Sequence, residues 1–186
     1  LSYGLATGFV FGAMFAFLAE GPFLFVNLMG YTPTQYAWFS AVTVGGFAAG
    51  TFVTSKMTLK LGIDPMIKMG MVPVLGAGAL IVGLAYGAPL SAWAIIGPLT
   101  LMMFGMGLVV PNGLAGAISV HPEMAGTGSA LIGFLQMGLA GVATYLVPRV
   151  SDGTQVPMTL VIAAFAAAAA GSYLLRRLEP PVGQTP

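Results

Sequence analysis

Glu20 is the side chain of this sequence whose setting most strongly suggests chemistry. It is the only charged residue between Leu1 and Ser55, a stretch long enough for two membrane crossings. Burying an ionisable group in lipid costs about 2.5 kcal/mol or more, so such a residue is by default a binding-site candidate. Asn27 lies seven positions later on the same helical face, and Pro22 between them frees backbone carbonyls. We predict that Glu20 and Asn27 bind a substrate; the alternative is a hydrated Glu20 near the outer end of its helix.

A second group of candidates lies on the later apolar segments. Met103 and Met106 belong to a methionine-rich patch that is soft and polarisable, a kind of surface that accepts many ligand shapes. Packing in the core explains these methionines equally well. Gln136 and Ser129 share one helix face, from which they either bind a substrate or donate hydrogen bonds to the preceding helix. Met103, Met106 and Gln136 are therefore predicted substrate contacts.

The segment 111–136 is where the sequence predicts the closest helix packing. Small side chains recur at four-residue spacing from Ala125 to Gly133, which lets two helices approach closely in lipid. The sequence therefore predicts that the fourth and fifth helices form a tight pair. Asn112 either satisfies backbone groups freed by Pro111 or acts as a gate at the inner end of its helix. The predicted structural or gating residues are Pro22, Pro111, Asn112, Gly126, Ser129 and Gly133.

Composition and spacing disfavour several other kinds of site. The chain has no cysteine, which removes disulfides and thiolate chemistry. Its 5 acidic residues are scattered, unlike a pair of catalytic carboxylates, and no glycine-rich nucleotide-binding loop occurs. His121 and Glu123 supply only two metal ligands, and a solvated loop is the better interpretation. We predict no enzymatic activity, no metal, no cofactor and no nucleic-acid partner.

The overall composition predicts a protein of the lipid bilayer. Hydrophobic residues make up 58% of the chain and charged residues 6%, whereas about a quarter of the residues of a soluble domain are charged. The mean hydropathy of +0.95 is sustained over the whole length and not confined to one segment. We therefore predict an all-α membrane protein.

Charge-free runs separated by polar turns predict six transmembrane helices. Two such turns are Gly30 to Pro33 and Gly87 to Ser91. Asp64 before Pro65 predicts an N-cap for the third helix, because the carboxylate can accept from free amide hydrogens while proline takes the first helical position. The expected spans are about 3–29, 34–55, 65–86, 91–119, 124–147 and 156–177, in a bundle over 1–178 with a disordered cytoplasmic tail over 179–186.

Basic residues at the helix ends predict how the bundle is oriented. Of the 6 lysines and arginines, only Arg149 falls on one side of a six-span topology. Basic residues are enriched on the cytoplasmic side, so both chain ends are expected there. Tyrosines and tryptophans near the expected helix ends fit an aromatic belt. The residues on the predicted cytoplasmic side are Lys56, Lys60, Lys68, Arg176 and Arg177.

Short motifs spread over the chain resemble a known transporter family. They are Pro22-Phe23, the run from Gly30 to Tyr36, Pro111-Asn112, and above all Met124-Ala125-Gly126-Thr127 with Ser129-Ala130, Gly133 and Gln136. In order and spacing, from about Phe17 to Arg177, they resemble the C-terminal half of major facilitator superfamily drug exporters of the Bcr/CflA type. The sequence departs from the family pattern at Glu20-Gly21 before Pro22, at Leu59 and at Gly128.

The resemblance implies half of a proton-driven multidrug or small-molecule efflux antiporter of the bacterial inner membrane. Such a carrier works by alternating access between two six-helix bundles. Its partners would be an N-terminal six-helix half, small apolar or cationic substrates, and protons. The acids that couple transport to protons are expected in the other half. The alternatives are a half-size carrier that acts as a homodimer and a truncated or scaffolding membrane protein that transports nothing.

Overall fold

A computed structural model describes residues 2–120 and 124–175, and the regular structure of these two ranges is entirely helical. Six helices are long and apolar enough to cross a membrane, which confirms the predicted all-α fold. The predicted tail over 179–186 and the His121 to Glu123 turn lie outside the described residues. The helices are α1 (Ser2–Pro22), α2 (Pro33–Leu61), α3 (Ile63–Gly87), α4 (Ala92–Val120), α5 (Ala125–Val150) and α6 (Val156–Leu175).

The first span changes its helical type at Pro22 and continues as a π-helical segment, Phe23–Leu28. Proline has no N–H to donate to the carbonyl four residues earlier, and its ring crowds that carbonyl. After it, the Met29 N–H donates to the Leu24 carbonyl, five residues back, at 3.0 Å, which closes a wider turn. The backbone irregularity expected at Pro22 is therefore present near the end of the first span.

The second helix begins at a capping box and ends later than expected. Thr32 Oγ1 accepts a hydrogen bond from the Gln35 N–H, the Gln35 side chain accepts from the Thr32 N–H, and Pro33 takes the first helical position. The helix then continues to Leu61, beyond the predicted end at 55. Gly62 alone links α2 to α3, with a φ of 86° that glycine adopts without strain.

Asp64 does not cap α3 as predicted. The helix begins one residue earlier, at Ile63, so the carboxylate lies within the first turn. Asp64 Oδ1 instead accepts a hydrogen bond from the Tyr3 hydroxyl at 2.7 Å, and the Asp64 carbonyl accepts one from the Tyr173 hydroxyl at 3.3 Å. These bonds join the beginning of α3 to the beginning of α1 and the end of α6, so three helix ends meet on one side of the bundle.

The centre of the bundle is formed by α1 and α4. α2 packs on α4, α5 packs on α1, and α3 and α6 contact each other as well as α4 and α1 respectively. Exchanging the first three helices with the last three leaves this pattern unchanged, as expected for two three-helix repeats. Because α3 and α6 close one side of the central pair, α2 and α5 border the other side. In the most apolar stretch of each helix, only 17% of α2 and 22% of α5 is buried.

The alanine-rich tract of α6, from Ala163 to Gly171, packs against α3. A Cβ atom on Gly78 of α3 would lie 3.1 Å from the Ala166 Cβ and 3.4 Å from the Ala163 Cα. Side chains this small let the two backbones approach closely, which favours dispersion contacts in lipid. The small side chains of this tract therefore form the surface by which α6 packs closely against α3.

The predicted tight pair of the fourth and fifth helices is wrong. α5 packs along α1 and has few contacts with α4. A Cβ atom on Gly126 or Gly133 would meet nothing within 4 Å. The glycines of α4 serve other contacts, since a Cβ on Gly105 would lie 2.6 Å from the Gly70 carbonyl of α3. Small-residue spacing identifies a surface that permits close approach, but it does not identify which helix lies against that surface.

Candidate functional site

Glu20 lies in the last turn of α1 and is only 7% exposed. Its Oε1 accepts a hydrogen bond at 2.7 Å from the hydroxyl of Ser151, the residue that follows α5. The bond joins α1 to the α5–α6 connection, on the opposite side of the bundle from Asp64. Glu20 thus lies near the end of its helix, as the alternative expected, but its carboxylate is buried and has a protein partner.

The α5–α6 connection that presents Ser151 is held by its own hydrogen bonds. Thr154 donates to Asp152 Oδ1 from its backbone N–H at 2.9 Å and from its hydroxyl at 2.6 Å. These bonds favour the charged carboxylate and keep the pKa of Asp152 below its usual range. Gly153 supplies the positive φ of 81° at this turn. These contacts hold the turn in the conformation that places the Ser151 hydroxyl next to the Glu20 carboxylate.

The structure does not pair Asn27 with Glu20. Asn27 lies in the π-helical segment and is exposed, whereas Glu20 is buried. Residues seven apart share a face only in a regular α-helix, and the wider turns that follow Pro22 change this register. The predicted common face is therefore wrong.

The methionine-rich patch of α4 lies in the protein core. Met102, Met103 and Met106 are 1%, 6% and 2% exposed. Core packing, the alternative interpretation, accounts for Met102 and Met106. Met103 also lines a cavity that α1, α2 and α4 enclose between them.

This cavity has a volume of about 130 Å³ and nearly apolar walls. Of the five predicted substrate contacts, Met103 lines it and the other four do not. The wall positions of α1 and α2 were not predicted, because one apolar position on a helix resembles another until the rotation of the helix is known. The sequence feature that could have indicated these positions is the pair of hydroxyl side chains, Ser40 and Thr43, within the apolar helix α2. The main wall residues are Met14 and Phe17 of α1, Ser40 and Thr43 of α2, and Leu99 and Met103 of α4.

Asn112 joins α4 to α2 and is 1% exposed. Its Nδ2 donates to the Leu108 carbonyl, one turn earlier on α4, at 2.8 Å. Its Oδ1 accepts a hydrogen bond from the Thr58 hydroxyl of α2 at 3.0 Å. The Asn112 amide thus uses both its donor and its acceptor, and it holds the C-terminal end of α2 against α4.

The carbonyl freed by Pro111 is satisfied by a residue that the sequence did not indicate. Proline has no N–H, so the Gly107 carbonyl lacks its helical donor. The Thr54 hydroxyl of α2 donates to that carbonyl at 2.9 Å. The expectation that Asn112 satisfies the backbone freed by the proline is therefore wrong, because Thr54 does so.

The candidates on α5 lie on a surface that the other described helices cover only in part. The Ser129 hydroxyl donates to the Gly126 carbonyl of its own helix at 2.9 Å, so it is not used for a bond to α4. Gly126 is exposed, and Gly133 and Gln136 are half-buried. None of these four residues lines the cavity. The structure thus separates the α5 candidates from Glu20 and from Met103.

Comparison with known proteins gives relatives but no family model that matches the chain. The bicyclomycin resistance protein homolog of Haemophilus influenzae is 24% identical over 164 residues, which cover 88% of the chain and 41% of that protein. An uncharacterised MFS-type transporter of Bacillus subtilis, YdgK, is 23% identical over 173 residues, 92% of the chain and 42% of that protein. The puromycin resistance protein pur8 of Streptomyces alboniger is 33% identical over 124 residues, 65% of the chain and 21% of that protein.

The chain spans less than half the length of the curated relatives that it matches, although the first two matches cover about nine-tenths of the chain. Six spanning helices with a repeated three-helix pattern are the architecture of one half of a major facilitator carrier. The chain is thus related to transporters of the major facilitator superfamily, and it resembles the C-terminal half of drug exporters of the Bcr/CflA type.

Proposed function

We propose that the chain is one half of a secondary active transporter, a proton-driven antiporter that exports small apolar or cationic compounds. The observation that carries this proposal is the match of nearly the whole chain to less than half of longer proteins named for transport or drug resistance. A carrier of this fold consists of two six-helix bundles around a site near the middle of the membrane. Transport breaks no covalent bond, so the proposal includes neither an enzymatic activity nor a cofactor.

The exposed aromatic side chains of α2 and α5, the two helices that flank the central pair, support a second bundle as the partner. Trp38 and Phe52 of α2 are 72% and 65% exposed, and Phe134 of α5 is 72% exposed. α2 and α5 border the side of the α1–α4 pair that α3 and α6 leave open. A second bundle placed against α2 and α5 would enclose a passage lined by α1 and α4. Rocking of the two bundles would then expose that passage to each side of the membrane in turn.

For orientation, we propose the bacterial inner membrane with both chain ends in the cytoplasm. Lys56 and Lys60 are exposed near the end of α2, and Lys68 is exposed near the beginning of α3. Arg149 lies near the end of α5, on the opposite side of the bundle. The side with more lysine and arginine is usually the cytoplasmic one.

Site-directed labelling tests this orientation, since the chain has no cysteine of its own. A membrane-impermeant maleimide should label Asp152→Cys in spheroplasts, in which the outer face of the inner membrane is accessible. Lys60→Cys should be labelled only after the membrane is permeabilised. Labelling of Lys60→Cys in sealed spheroplasts would contradict the proposed orientation.

Transport is tested with the chain alone and with the complete reading frame that encodes it. Each is expressed in cells, from which inverted membrane vesicles are prepared. Export then appears as proton-linked uptake of ethidium into the vesicles, and this uptake is measured. We expect flux from the complete reading frame and none from the chain alone, because one bundle encloses no passage. Robust flux from the chain alone would replace the proposal with a homodimer of half-size carriers. Absence of flux from both, at normal expression and for a panel of neutral and cationic compounds, would favour a protein that transports nothing.

A further inference from the structure

The cavity between α1, α2 and α4 contains one polar group without a hydrogen-bond partner. Ser40 Oγ is buried and makes no hydrogen bond with any of the described residues. The Tyr36 hydroxyl, one turn earlier on α2, lies near it but outside hydrogen-bonding geometry. The Thr43 hydroxyl is already used, since it donates to the Ser40 carbonyl at 2.7 Å. A buried hydroxyl without a partner favours a ligand that supplies one.

The remaining walls are suited to an aromatic ring. Phe17 offers a ring edge or face, and Met14 and Met103 place flexible thioethers beside it. Methionine sulfur makes favourable contacts with aromatic rings and adapts to their shape. The volume of about 130 Å³ is close to that of an apolar cavity of ~150 Å³ that binds benzene in another protein. One ring fits this space.

A ligand has a route into the cavity from the surface of the bundle. Leu18 of α1 and Val44 of α2 also line it, and these two side chains are 45% and 62% exposed. They form the mouth of the cavity between the two helices. Entry therefore requires no separation of α1 from α4, the two central helices.

We infer that this cavity binds a single aromatic ring that carries one hydroxyl group, a phenol in the simplest case. The ring would lie against Phe17 and the two methionines, and the hydroxyl would exchange a hydrogen bond with Ser40 Oγ, which can donate or accept. A hydrogen bond in apolar surroundings is strong, and the alternative leaves both hydroxyls unpaired. This inference names a substrate class for the proposed transporter and rests on that proposed function, but its first test measures binding alone.

The test uses 4-fluorophenol and fluorobenzene as fluorine NMR probes of the purified chain in lipid nanodiscs, with empty nanodiscs as the blank for partitioning into lipid. We expect saturable binding of both probes, with 4-fluorophenol bound about fivefold more tightly, the effect of one net hydrogen bond. Ser40→Ala should remove this preference and leave fluorobenzene binding unchanged. A preference that persists in Ser40→Ala would overturn the role of the hydroxyl.

Two tryptophan variants on α2 locate the site. Val44→Trp should fill the mouth of the cavity and abolish binding of both probes. Val42→Trp is the matched control, because Val42 is also exposed, at 43%, but does not line the cavity. Both positions are exposed, so both variants should fold. Equal binding by wild type and Val44→Trp would show that the probes bind elsewhere and would overturn the inference.

The methyl group of Met103 gives a direct local signal. In a sample labelled with carbon-13 at the methionine methyl groups, 4-fluorophenol should shift the Met103 resonance, assigned from its loss in Met103→Leu. Met106, which lies in the core away from the cavity, is the internal control. Binding without a shift at Met103 contradicts the inference even if the complete reading frame transports. Binding at Met103 without vesicle flux would retain the phenol site and remove the transport function.

Discussion

Two contacts in the bundle, α2 with α4 and α1 with α5, are equivalent under the exchange of its two halves but use their small residues differently. In the α2–α4 contact both helices provide glycines: Gly46 of α2 lies against the Thr100 carbonyl, Gly50 of α2 against the Phe104 carbonyl, and Gly107 of α4 against the Phe47 carbonyl. In the α1–α5 contact only the central helix, α1, provides them among the described residues. A Cβ atom on Gly8, for example, would lie 3.1 Å from the Leu135 carbonyl.

The difference leaves the glycines of α5 without a partner in the described part of the chain. A Cβ atom on any of them would meet nothing within 4 Å. An exposed glycine gives lipid no favourable surface and weakens its own helix by about 1 kcal/mol relative to alanine. Close contact with a second bundle would account for them, in agreement with the proposed function. These residues are Gly126, Gly128, Gly133, Gly138 and Gly141.

The largest expected effect is that of a side chain added within the α2–α4 contact. Gly50→Val would place a Cβ atom against the Phe104 backbone, which cannot move without shifting α4. We expect the chain to lose about 1–3 kcal/mol of stability, as overpacked cores do, measured by unfolding in mixed micelles of increasing dodecyl sulfate content. Gly133→Val is the matched control on α5 and should change stability by less than about 0.5 kcal/mol. Equal losses in the two variants would contradict the assigned difference between α2 and α5.

A smaller effect is expected from the polar contacts that fix α2 to α4. Asn112→Ala removes the amide that bridges Leu108 and Thr58. We expect a loss of about 1 kcal/mol, within the range measured for hydrogen bonds between membrane helices, in the same unfolding experiment. Ser129→Ala is the control, since among the described residues that hydroxyl bonds only within its own helix, and it should be nearly neutral. A neutral Asn112→Ala would show that Thr54 and the glycines hold α2 without the amide.

The sequence was sufficient for the number of helices and for their approximate limits. Lipid imposes a length and forbids charge, so charge-free runs of about 20 residues can be counted directly. The end of α2 was misplaced because Lys56 and Lys60 were interpreted as a loop, whereas exposed lysines continue a helix out of the membrane without penalty.

Helix neighbours and helix rotation could not be obtained in this way. The partner of Glu20, Ser151, is 131 residues away along the chain, and a spacing rule within one helix cannot reach it. The same limit concealed Ser40, which became a candidate only when α2 was placed against α1 and α4. Periodicity describes one helix at a time, whereas a site between helices depends on the rotation of all of them.

The smallest expected effect concerns Glu20, the polar anchor on the α1–α5 side. Glu20→Gln keeps an oxygen that can accept from the Ser151 hydroxyl, so the fold should be retained while the charge is lost. If Glu20 also attracts substrate, export of cationic compounds by the complete reading frame should fall about two- to fivefold more than export of neutral ones, the effect of one modest charge interaction.

Ser151→Ala separates the two roles, because it removes the hydrogen bond and keeps the carboxylate. That variant should lower stability by about 0.6 kcal/mol and leave the ratio of cationic to neutral export unchanged. Equal loss of both classes in Glu20→Gln would limit Glu20 to holding the α5–α6 turn, which would make it a structural counterpart of Asn112 at the opposite side of the bundle.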